Sequence, residues 1–106
     1  MVQPAEAGVI EINRTGSDDP LTFRVIVREG ATESRHEVTL SRADCNRLTA
    51  GWHTPEQCID GAFRYLLDRE PKEAILAAFD VGVISRYFPH FDRELPAYLA
   101  RSSGQS

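Results

Sequence analysis

The chain has 106 residues, of which 42% are hydrophobic and 26% charged, and a net charge of −4. The length fits one domain able to bury a core without a metal or disulfide, and the composition excludes global disorder. No apolar run approaches the length of a membrane span, and with 12 basic against 16 acidic residues no segment is strongly basic, which disfavours a nucleic-acid partner.

Residues 1–7 hold Pro4 and small side chains without periodicity, and read as a flexible tail. They contain neither the basic start nor the apolar run of a secretory signal. Cys45 and Cys58 lack a C-x-x-C spacing, so free thiols in a reducing cytoplasm are expected.

From Val9 to Arg14, Ile10 and Ile12 alternate with polar residues, which predicts a first strand. Thr15-Gly16-Ser17-Asp18-Asp19-Pro20 is dense in turn formers and ends it. Leu21–Glu29 predicts a second strand, with Leu21, Phe23, Val25 and Val27 on one face. Gly30–Ser34 reads as a loop, and Arg35–Leu40 as a third strand with His36, Val38 and Leu40 on one face. Pairing Val27 with Val38, and Ile12 with Phe23, unites the apolar faces and sets Arg28 against Glu37 and Glu11 against Arg24. The expected sheet is a three-stranded antiparallel meander.

Helices must cover its apolar face. Ser41 caps a short helix that Gly51 stops. Thr54-Pro55-Glu56-Gln57 carries an N-cap, a proline at the first helical position and a capping-box glutamine. The helix it opens runs to about Arg69, with Ile59, Phe63 and Leu66 on one face. Pro71 opens a further helix through Ala74, Ile75, Ala78 and Phe79. Asp80 caps a short one over 81–88, and a last one covers 91–99 around Pro96. The fold class is thus α+β: a three-stranded meander, then three to five short helices packed on one face. It forms a single domain over 8–101, with a second tail at 102–106.

The candidate chemistry is sparse. A thiol nucleophile needs a base, and nothing in the spacing joins Cys45 or Cys58 to His36, His53 or His90. Cys45, His53 and Cys58 match no zinc spacing, Asp18-Asp19 lacks the ligand pattern of a calcium loop, and no glycine-rich phosphate cradle occurs. No catalytic residue, metal ligand or cofactor is therefore expected. Ala78 and Gly82 have the separation of a helix-turn-helix alanine and glycine, with Ile84-Ser85-Arg86 after them. However, Pro89 interrupts the second helix and Asp80, Asp92 and Glu94 offset the nearby arginines.

Aromatic density is the remaining feature. Phe79, Tyr87, Phe88, Phe91 and Tyr98 fall within twenty residues. They either complete the core or form an apolar patch that buries against another protein or a second copy. The interface candidates are Tyr87, Phe88, Phe91 and Tyr98, with Arg86 at the rim.

The run from Ile12-Asn13-Arg14-Thr15-Gly16, through Asp68-Arg69-Glu70-Pro71-Lys72-Glu73-Ala74-Ile75-Leu76, to Arg86-Tyr87-Phe88-Pro89 resembles small bacterial proteins of unassigned function. The resemblance spans most of the chain and implies no activity, so no functional residue follows from it. The leading expectation is a non-enzymatic cytoplasmic interaction or regulatory domain that binds a protein partner or itself through 79–99. The alternatives are a nucleic-acid-associated regulator with a degenerate helix-turn-helix at 74–88, and a small thiol-dependent enzyme or ligand carrier.

Overall fold

A computed structural model describes residues 9–103. Four strands and four helices occur in the order β1 (Val9–Gly16), β2 (Leu21–Glu29), β3 (Thr32–Leu40), α1 (Arg42–Thr49), α2 (Pro55–Leu67), β4 (Ala78–Asp80), α3 (Ile84–Tyr87) and α4 (Phe91–Ser103). Short 3₁₀ turns at Lys72–Ala74 and Val81–Val83 flank β4. The architecture is α+β, and no helix among the described residues is long and apolar enough to cross a membrane. The final helix extends through Ser103, past the expected tail boundary. The other tail residues, 1–7 and 104–106, lie outside the described residues.

The meander forms as the alternation predicts, but both registers differ. Val25 lies opposite His36 and Val27 opposite Ser34, because Glu29 and Thr32 already pair across a turn of only Gly30 and Ala31. Gly30 takes a φ of 61°, a left-handed conformation open to glycine that lets two residues reverse the chain. The expected five-residue loop is therefore mostly strand, and β3 slides four positions. The first pair slides by two, placing Ile12 opposite Val25 and Ile10 opposite Val27. Both shifts are even, so every apolar side chain keeps its face while the charged partners change. Arg24 meets Glu37, and Arg28 meets both Glu33 and Glu11.

The fourth strand is a correction. The sequence predicts helix from Pro71 through Phe79, yet Ala78–Asp80 pairs parallel with Glu37–Thr39 at the sheet edge, in strand order β1-β2-β3-β4. Helix propensity at Ala74, Ala77 and Ala78 gives way to the open backbone of β3, where the Glu37 amide donates to the Ala77 carbonyl at 2.8 Å. Phe79 then sets its ring 5.9 Å from that of Phe63.

The helix starts follow the caps. Ser41 Oγ accepts from the Asp44 amide at 3.0 Å. Thr54 and Gln57 close a full capping box. Packed on the inner sheet face, α2 buries Cys58, Ile59, Ala62, Phe63 and Leu66. The next layer is α4, which crosses α2 at Gly61, where an added Cβ would lie 3.1 Å from Leu99 and 3.2 Å from Leu95. Pro96 sits inside α4 and removes one backbone donor, but Leu95 and Leu99 are fully buried and hold the helix in place. At the β1 edge, Arg14 spans the gap to α2 with two bonds to Glu56, each 2.9 Å, and its guanidinium lies 5.7 Å from the Phe23 ring centre.

Candidate functional site

The strap that leads into β4 is built from side-chain anchors. Lys72, the only lysine, is 3% exposed. Its stem packs inside, and Nζ donates to Thr32 Oγ1 at 2.7 Å and Glu73 Oε2 at 2.6 Å. Glu29 stands 3.5 Å away. The bond to Glu73 raises the Lys72 pKa above its ordinary value, with Glu29 adding to it. A second anchor is His36, buried on the inner face of β3. Its Nδ1 donates to the Leu76 carbonyl at 2.7 Å, which places a proton on that nitrogen, and its Nε2 lies 2.8 Å from Ser34 Oγ. Lys72 thus fixes the start of the strap and His36 its end.

Between this strap and α3 lies an apolar groove of about 430 Å³. Leu66, Ile75 and Ile84 form a buried floor, Phe79 and Phe88 are half-buried walls, and Glu70 stands at one side. The lips are Leu76, 52% exposed, and Tyr87, 69% exposed. Phe88 is held from behind by Tyr65, edge-on at 5.9 Å.

The five interface candidates separate. Phe91 is fully buried and Tyr98 is 8% exposed. Both rings pack edge-on against Tyr65, at 5.0 and 5.5 Å. The Tyr98 hydroxyl donates to Asp68 and accepts from Arg69, whose guanidinium lies 3.6 Å from the Tyr65 ring centre. These two aromatics belong to the core, because α4 turns Phe91, Leu95, Tyr98 and Leu99 toward α2 together. Tyr87 is exposed at the groove, Arg86 is exposed next to it in α3 but does not line the groove, and Phe88 is shared between groove and core. The Arg86 side chain makes no hydrogen bond or ion pair with a described residue, whereas most arginine side chains are paired.

The other expected chemistries meet opposing geometry. Burial pushes the Cys58 thiol up to about 12 and also raises that of Cys45, so neither is poised as a thiolate. The ring nitrogens of His36 are engaged with Leu76 and Ser34, and His90 Nδ1 faces Arg93. The helix-turn-helix is overturned, because Ala78, its packing alanine, lies in β4. Among the described residues no group of three or more His, Cys, Asp or Glu side chains is placed to hold a metal ion.

Sequence reasoning missed the strap, Leu76 and the anchoring roles of Lys72 and His36. Two signals were available: a single lysine among many arginines, and a histidine in phase with the apolar face of a strand. Comparison with protein-family models, with curated proteins and with solved structures finds no match.

Proposed function

We propose that the chain is a non-enzymatic, cytoplasmic protein-interaction or regulatory domain whose groove, between the 72–76 strap and α3, receives an apolar segment of a protein partner. The observation that carries this reading is the pair of large apolar lips, Leu76 and Tyr87, left in water above a floor that is already dry. Burying such lips yields about 25 cal/mol per Å² of apolar surface, and a tyrosine beside an arginine is a favoured interface anchor. Arg86, the exposed neighbour of Tyr87 in α3, supplies an uncommitted positive charge outside the groove lining, so the partner segment combines apolar side chains with a carboxylate beyond them. The free cysteines suit a reducing compartment.

The test is selection from a displayed random-peptide library on the folded protein, with counter-selection on a Leu76→Asp/Tyr87→Ser variant. Both residues are exposed, so the variant keeps its fold, and circular dichroism checks this. Enriched peptides should share spaced apolar residues and an acidic position, and lose at least tenfold in affinity for an Arg86→Glu protein. Peptides that bind wild type and both variants equally would overturn the assignment.

A further inference from the structure

The connection between α1 and α2 breaks three local rules within four residues. Ala50 has a φ of 54°, the only left-handed non-glycine residue among those described. His53 Nδ1 is the only buried side-chain nitrogen or oxygen there without a hydrogen-bond partner. Trp52, the only tryptophan, is 84% exposed, more than any other large apolar side chain described. Each feature opposes folding, through a crowded Cβ, an unmet polar atom and an indole left in water. Local costs gathered at one place are the mark of a site that acts on something else.

What lies beside Trp52 identifies the occupant. An open hollow of about 510 Å³ is lined by Leu48, His53, Pro96 and Leu99, with Ala50, Ala100 and Trp52 itself at its rim. Knob and hollow therefore adjoin on one patch. A two-fold contact requires such self-complementarity, because each copy presents the same patch to the other. The exposed rim residues Ala50, Gly51, Pro96 and Ala100 carry no charge, so two chains of net charge −4 can meet here without like charges at the centre. Depletion of charge around an exposed tryptophan is the composition of an interface core.

We propose that this patch is a two-fold self-association surface, on which each copy places Trp52 in the hollow between α1 and α4 of the other. It shares no residue with the groove at the strap, so either assignment can fail without the other.

The lone indole reports its own burial. Tryptophan emission and sedimentation equilibrium are measured together from micromolar to millimolar chain. The emission should move to the blue along the same concentration curve on which the mass doubles. Trp52→Ala and Ala100→Glu should each stay monomeric, the latter with the red emission of a solvated indole. Both substitutions are at exposed positions, and circular dichroism confirms their folds. An equimolar mixture of the two should dimerise again, at least tenfold more weakly than wild type, because the tryptophan of one still fits the hollow of the other, which has lost only its own Trp52 rim. A wild type that is monomeric at millimolar concentration, association that survives both substitutions, or a mixture that stays monomeric while wild type dimerises would overturn the proposal.

Discussion

Cys58 gives the sharpest test of the reading that sets thiol chemistry aside. Its side chain is fully buried on α2, and burial, more than any neighbouring charge, pushes its pKa to about 12. An unhindered thiol near 8.5 is about one quarter thiolate at about pH 8, whereas one at 12 is ionised in roughly one molecule in ten thousand. Alkylation of Cys58 by iodoacetamide should therefore be at least about 1,000-fold slower in the folded chain than in guanidinium. Cys45, at 8% exposure, should react first. Residue-resolved mass spectrometry of a time course measures both rates. The same shift has a thermodynamic face. Between about pH 9 and pH 12 the unfolded chain has lost the Cys58 proton and the folded chain keeps it, so stability falls as pH rises. The slope is about 1.4 kcal/mol per pH unit, and it is absent below pH 9. Replacing Cys58 by Ala should remove that alkaline slope. A Cys58 that alkylates within tenfold of its unfolded rate would refute the burial argument and revive a thiol mechanism.

Other outcomes follow from the same packing. Phe91→Ala should cost about 3–5 kcal/mol in urea titrations, whereas Tyr87→Ala should stay within about 0.5 kcal/mol, since only the first ring is in the core. Ala50→Gly should raise stability by up to about 1 kcal/mol by relieving a left-handed alanine, read as an increase in the denaturation midpoint. Thr54→Ala should cost about 1 kcal/mol through loss of the capping box, with Thr54→Ser restoring most of it. The Glu56 carboxyl is held below its ordinary pKa chiefly by the hydrogen bond from Arg14. Its contribution is thus present above the usual carboxylate range and lost as pH falls through the lowered value. Arg14→Met should flatten that part of the acid limb, a change under about 1 kcal/mol for a half-exposed pair, seen in melts across the acid range.

Legibility in the sequence followed the range of the forces involved. The capping box at Thr54 and the apolar phases of β2 and α2 are local, and each is found where its residues put it; the stop expected at Gly51 begins one residue earlier, at the left-handed Ala50. Register depended on the turn, and the Gly30-Ala31 reversal outweighed a matching of apolar partners that any even shift satisfies equally. The strand at Ala78–Asp80 was not legible at all. Its residues favour helix, and only the open backbone of β3, about forty positions earlier, makes them extend. The candidate surface was half visible. Aromatic density pointed to the stretch that holds Tyr87 and Phe88, but composition does not separate Phe91, which α4 turns inward, from Tyr87 at the end of a four-residue helix. Trp52 was passed over because a single residue in a turn has no period to betray it.

The wall of the groove is fastened to the sheet by a three-residue strand, a lysine ammonium and a histidine ring, which meet the central packing through the contacts of Phe79 and His36 with Phe63. Such an attachment releases by itself, at a smaller free energy than the whole molecule. Amide exchange at Ile75 and Phe79 should then outpace that at Val25, and an occupant seated against the closed wall would slow those amides and raise the melting temperature by the same binding free energy. The surface is in this sense a hinged panel on a rigid frame, and its affinity is adjustable by substitutions at Thr32 or Ser34 that no bound segment would ever touch.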